Sequence, residues 1–505
     1  MIIDDQYYDI IIVGTGAGGG TLAYKLAPTG KKILILERGN FMPLEEQNRS
    51  NVDVFKKERY HAPEKWYDNA GEPFSPQTNY AVGGNTKIYG ATLLRMREKD
   101  FETVEHQTGT SPEWGLKYQD FEPYYTKAEQ LYKVHGKSGQ DPTEPSRSAD
   151  YFYPAVTHEP PIQEIIGAIA SLGLHPATLP LSLTSQADDP TGDAEVFGIT
   201  LVLEFPNVTL KTNAKVVCLH TNASGTTVKS VEAEIQGQSY LFSGDIVVLA
   251  CGAVNSAALL LRSANEKHPH GLANSSDQVG RNLMKPLMTA MVQLSAVPNS
   301  GKFPRTVAIN DFYWGEEDFP YPMGHIQNTG GLLQELIFAE SPPILSILAK
   351  IMPGMALEQL AKRSIGWWVQ TETLPDSNNR VRFESEKLYI DYQPNNLEAH
   401  DRLIYRWIEV LKQVEKTLEK SLFKRGNIYP RGEMPIQVTA NQCGTCRFGE
   451  DPTTSVLNLD CRTHDVDNLY VVDGSFFPSS ASVNPTLTII ANALRVGEYL
   501  NQVLD

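Results

Sequence analysis

Ile10-Ile11-Ile12-Val13-Gly14-Thr15-Gly16-Ala17-Gly18-Gly19 is the stretch from which the rest of this chain can be read. Its four leading apolar residues have the pattern of a parallel strand buried on both faces. The glycines follow at once, Thr21 to Leu26 has helical character, and Ile33-Leu34-Ile35-Leu36 is a second buried strand ending on Glu37. Strand, glycine turn, helix, strand and acid in that order form a βαβ dinucleotide site. Gly14 permits the tight turn, Gly16 lets backbone approach a pyrophosphate, and Gly19 lets helix pack close to strand. Free N–H groups at the helix start favour phosphate. Glu37 can accept hydrogen bonds from a ribose diol. These residues alone do not separate FAD from NAD.

The 505 residues are enough for two or three domains, and 41% hydrophobic content marks a globular chain. A net charge of −16 argues against nucleic acid as a partner, because phosphate binding needs a basic surface. No apolar run has the length of a transmembrane segment, and Met1-Ile2-Ile3-Asp4-Asp5 lacks signal-peptide character. A cytoplasmic protein is expected. Cys218, Cys251, Cys443, Cys446 and Cys461 read as reduced thiols, and no metal-binding residues are singled out. Gly136 to Ser148, rich in Ser, Gly, Pro and charge, is expected to be an exposed loop.

Four further segments narrow the cofactor. They are Ala81-Val82-Gly83-Gly84-Asn85-Thr86-Lys87-Ile88-Tyr89-Gly90, the strand and turn from Asp245 to Ser256, Val279-Gly280-Arg281-Asn282-Leu283-Met284, and the region from Asn441 to Leu494. The last contains Asn441-Gln442-Cys443-Gly444-Thr445-Cys446-Arg447-Phe448-Gly449 and Val483-Asn484-Pro485-Thr486. Together with the N-terminus they resemble the glucose–methanol–choline (GMC) oxidoreductases, in particular the bacterial alcohol dehydrogenase or oxidase branch. The resemblance implies FAD and oxidation of a small-molecule alcohol. The expected fold class is α/β, a two-domain arrangement of the p-hydroxybenzoate-hydroxylase-like kind. Residues 1–120, 205–285 and 436–505 would form a Rossmann-like FAD-binding domain. Residues 121–204 and 286–435 would form a substrate domain with an antiparallel sheet backed by helices.

By that resemblance, Gly83, Gly84 and Asn85 bring backbone against the flat isoalloxazine, where a Cβ would collide. Val216, in a β-meander expected from Val208 to Leu219, would hold adenine through its backbone; core packing is the alternative. Asp473, with Gly474, would bond the FAD linker region or else close a strand-end turn. Asn484, Pro485 and Thr486 open a helix whose positive end would face the flavin's pyrimidine edge. No histidine lies between His61 and His106, so non-covalent FAD is expected. Ala257 stands where the family usually has proline.

Asn441 occupies the position of the family's usual histidine base, and Asn484 that of the second polar partner. An amide does not take a proton at neutral pH. The pair can orient a hydroxyl while weakening or altering the chemistry. Non-redox and light-driven relatives, such as hydroxynitrile lyases and fatty-acid photodecarboxylases, leave a different reaction open, as does a non-catalytic flavin-binding role. His325 could point inward as a substitute base, whereas His464 reads as a surface turn residue. Cys443 and Cys446 have dithiol spacing without a thioredoxin-like context.

On the substrate side, Asn379–Phe383 and Leu388–Tyr392 read as paired strands. Leu403, Trp407, Leu411, Val414 and Leu418 mark one face of an amphipathic helix. The apolar stretch from Pro343 to Leu360 reads as lid or core, or as the entrance for a lipophilic substrate or a membrane-resting surface. Trp367 and Trp368 can each line pocket or core. The electron acceptor stays open among oxygen, quinone and a carrier protein.

Overall fold

The computed structural model describes residues 1–43, 45, 48, 53–54, 57, 59–184, 191–294, 305–329, 363–418, 429 and 431–504. The Pro343–Leu360 stretch lies outside the described residues. Ile2–Val13 is the strand on which the nucleotide-binding half is built, with Ile33–Leu36 and Gln238–Leu249 parallel on its two sides. Ile10 to Val13 and Ile33 to Leu36 are buried, as continuous apolar runs between helical layers should be. Gly14 turns the chain at φ +101°, and a Cβ there would meet the Ala250 carbonyl oxygen at 2.4 Å. At Gly19 a Cβ would meet the Gly14 carbonyl oxygen at 2.0 Å, so helix and strand approach as closely as the motif requires. The helix spans Ala17–Leu26 and begins four residues before the expected Thr21.

The seven-stranded sheet runs in the order Val208–Lys211, Ile33–Leu36, Ile2–Val13, Gln238–Leu249, Val228–Ile235, Ala214–Thr221. Leu469–Val471 pairs with Gln238–Leu249 as well. Val208–Lys211 is therefore a parallel edge strand, not the first strand of a meander. Asn213, left-handed at φ +53°, separates it from the true meander, which spans Ala214 to Leu249.

A six-stranded antiparallel sheet runs Arg431–Glu433, Leu287–Leu294, Ser364–Thr371, His325–Thr329, Val307–Ile309, Ala177–Thr178. Met291, Val307, Ile309, Ile326, Trp367 and Val369 form a core with Leu403, Trp407, Leu411 and Val414 of the helix Leu397–Leu418. The expected hairpin forms between Arg380–Glu384 and Lys387–Asp391, but it extends Trp66–Asp68 in a separate four-stranded sheet.

Gly136 to Ser148 is not simply an exposed loop. Asp141 accepts from Arg97 Nη2 at 2.6 Å, and Arg147 Nη2 reaches buried Glu129 at 2.5 Å. Its charges are partners of buried groups, and that pins the segment. Among the described residues no helix is long and apolar enough to cross a membrane. All five cysteines are free.

Candidate active site

A cavity of about 710 Å³ opens where the two larger sheets meet. Gly14, Gly16, Glu37, Gly84, Asn85, Val216, Asp473, Gly474, Asn441, Asn484, Pro485 and Thr486 all line it. Residues far apart in the sequence thus share one wall. Gly19 and Gly83 support that wall without lining it.

Glu37 is buried, and its carboxylate organises the glycine turn. It accepts from Thr15 N at 3.1 Å, Thr15 Oγ1 at 2.6 Å and Gly39 N at 2.9 Å. Burial pushes its carboxyl above the usual range, against the pull of those donors. Thr15 Oγ1 in turn accepts from Gly83 N at 3.1 Å, which locks the second glycine loop onto the first. Lys87 anchors the far side of that loop through Asp193 and Glu195, both at 2.8 Å. Thr15 was not singled out in the sequence, although it stands inside the motif.

Asn441 is placed by the segment that follows it. Cys443 and Met284 exchange backbone hydrogen bonds at 2.9 and 3.0 Å. Gly444 N, Cys446 N and Phe448 N then donate to the carbonyls of Gly474, Ser475 and Phe476. The motif is sandwiched between the segment that leads into the strand Leu287–Leu294 and the turn at Asp473. Asn441 adopts φ +60°, a left-handed conformation that asparagine and histidine enter more readily than most residues. Its Nδ2 donates weakly to Met288 Sδ at 3.7 Å.

Asp473 closes its turn by accepting from Ser475 N and Gly252 N, both at 2.9 Å, and from the hydroxyls of Ser256 and Ser475. Burial holds its carboxyl above the usual range. Those donors occupy both of its oxygens, so its observed work is to tie two cavity loops together. Asn484 Oδ1 is buried and has no hydrogen-bond partner among the described residues. It sits just before the helix Thr486–Leu504, whose N-terminus opens on the cavity and favours negative charge there.

The substrate sheet supplies the remaining wall. Ala290, Trp368 and Gln327 lie in one cross-strand row and line the cavity together with Met288. Neither Met288 nor Gln327 was picked out in the sequence, because their face depends on strand register. His325 points inward but stops short of the cavity, with Nδ1 on Asn310 Oδ1 at 2.7 Å. Burial depresses its pKa to about 4 and keeps it neutral. His464 is half-buried, bonding Ser455 Oγ at 2.9 Å. Cys443 and Cys446 are fully buried, and desolvation raises both thiols well above the ordinary value, which opposes dithiol exchange.

These residues fit a dinucleotide. The glycine turn leaves backbone facing the cavity, and Asn79 Oδ1 and Asn484 Oδ1 are buried acceptors that a ligand donor would satisfy. No histidine is among the described lining residues.

A family model described as GMC oxidoreductase matches residues 375–493. A 6'''-hydroxyparomomycin C oxidase of Streptomyces lividus is 28% identical, over 98% of this chain and 92% of its own. A 2-methyl-1,2-propanediol dehydrogenase of Mycolicibacterium austroafricanum is 26% identical, over 98% and 95%. Among solved structures, pyridoxine 4-oxidase from "Mesorbium loti" has the same fold, with a TM-score of 0.70 at 19% identity over 98% and 99% of the two chains. The chain is thus similar to the GMC oxidoreductases along nearly its whole length, and FAD is the cofactor to which that similarity points.

Proposed function

We propose that the protein oxidises a CH–OH group of a hydroxylated small molecule, with Asn441 and Asn484 orienting the reacting hydroxyl. The observation that carries this reading is that both amides line the cavity formed by the nucleotide motifs, and that Asn484 Oδ1 is buried without a partner. FAD, when bound, supplies the hydride acceptor. Asn484 Oδ1 is suited to accept a hydrogen bond from the substrate hydroxyl, while Asn441 offers both an acceptor and a donor. Neither amide keeps the proton, so it passes to water or to a basic group on the substrate. Gln327, an amide on the cavity wall, favours a polar substrate over a lipophilic one. The names of the two curated relatives point to hydroxylated molecules.

The test is the anaerobic visible spectrum of the holoprotein in the dark. Polyols, amino sugars, and aliphatic, aromatic and terpenoid alcohols would be added in turn. Bleaching of the flavin bands by a hydroxylated compound is expected. Flavin left unbleached by every alcohol, in this protein and in Asn441→His alike, would overturn the reading in favour of a lyase, a light-driven reaction or a non-catalytic role.

A further inference from the structure

On the edge hairpin of the nucleotide-binding sheet, three side chains of different donor type that do not line the cavity converge. Strands Ala214–Thr221 and Val228–Ile235 are antiparallel, with Cys218 directly opposite Glu232. His220 lies two residues beyond Cys218 and shares its face. A register shift between Val216 and Cys218 interrupts regular pairing there. A nitrogen of His220, the Cys218 sulfur and a Glu232 oxygen all lie within 4.8 Å of one another.

We propose that Cys218, His220 and Glu232 form a binding site for a divalent metal ion of the zinc type. Thiolate, imidazole and carboxylate together suit Zn²⁺ rather than Mg²⁺ or Ca²⁺, which prefer oxygen alone. Three protein ligands leave the fourth tetrahedral position to water. Ligand bonds of roughly 2.0–2.3 Å put donor atoms roughly 3.3–3.8 Å apart. His220 Nε2 and Glu232 Oε2, now 2.8 Å apart, need to open only slightly, and the His220 side chain is 43% exposed and has room to do so. Ser239 Oγ donates to Glu232 Oε1 at 2.6 Å, the outer hydrogen bond that orients a ligating carboxylate. A thiol binds metal as the thiolate, so the metal displaces a proton on binding. Arg262 near Cys218 and the amino terminus near Glu232 are the cations that act on the cluster.

The holoprotein, freed of metal with a chelator, is challenged with Zn²⁺ alone. Maleimide labelling of Cys218 is followed by peptide mapping, and bound zinc by elemental analysis. One zinc per chain and a slowing of labelling of about tenfold or more are expected. His220→Asn and Glu232→Gln should each lose most of that protection while keeping the flavin spectrum, and Cys218→Ser should lose the zinc. Labelling that zinc does not slow, protection as full in both variants as in the wild type, or undiminished zinc in Cys218→Ser would each overturn the proposal.

Discussion

Trp367 and Trp368 are chain neighbours on opposite faces of one strand: Trp367 packs on Trp407 with ring centroids 4.7 Å apart, and Trp368 lines the cofactor cavity. The same change at the two positions should therefore register in different measurements. Trp367→Ala empties a fully buried site and should cost about 3–5 kcal/mol in urea unfolding. Trp368→Ala should leave stability nearly unchanged and raise KM for the substrate about tenfold, the scale of one aromatic contact. Equal loss of stability in both variants would refute the division of faces.

Asn441→His should restore a proton acceptor. The position already has φ +60°, which histidine tolerates, so the fold should survive. Alcohol-dependent flavin reduction, followed anaerobically by stopped flow, should rise by about 10²–10⁴-fold. An unchanged rate would mean that removal of the hydroxyl proton does not limit the reaction.

Glu37→Gln replaces one acceptor oxygen by a donor among Thr15 N, Thr15 Oγ1 and Gly39 N. Such charged hydrogen bonds contribute about 1.5–3 kcal/mol each. FAD should bind about ten- to hundredfold more weakly, read from the fluorescence of released flavin. Wild-type retention would show that the carboxylate organises the turn without affecting the cofactor.

Asp100 gives the fold a pH dependence. Burial, opposed by Arg97 and reinforced by Glu372, raises its pKa to about 7. The unfolded value is about 4, so between pH 4 and 7 the folded state holds a proton that the unfolded chain has lost. This contribution is complete below the unfolded pKa and is lost as pH rises through the folded one, at up to about 1.4 kcal/mol per pH unit. Asp100→Asn should flatten the thermal-denaturation midpoint across that window. A slope equal to that of the wild type would place the titration elsewhere.

Much of the site was legible because some of its parts are contiguous. A tight turn, a close helix approach and a strand-end acid have local residue requirements, and Gly14, Gly19 and Glu37 meet them within one βαβ unit. The Asn441–Gly449 segment was likewise readable from its internal spacing. Other positions were misread because a partner, not a propensity, sets them. Val208–Lys211 became a parallel edge strand only through Ile33–Leu36.

By itself the sequence determined the glycine turn with its strand-end acid, the helix that opens at Thr486, and the absence of a histidine at 441. These follow from steric and hydrogen-bonding demands within short stretches. The tertiary structure alone decided that Trp368 and Gln327 face the cavity, that Met284 and Gly474 clamp the Asn441 segment, and that Glu232 lies opposite Cys218. Both faces of the Ser364–Thr371 strand are largely buried, so alternation of residue type could not say which faces the cofactor. Only the register between strands far apart in sequence, set when the two sheets pack together, makes that choice.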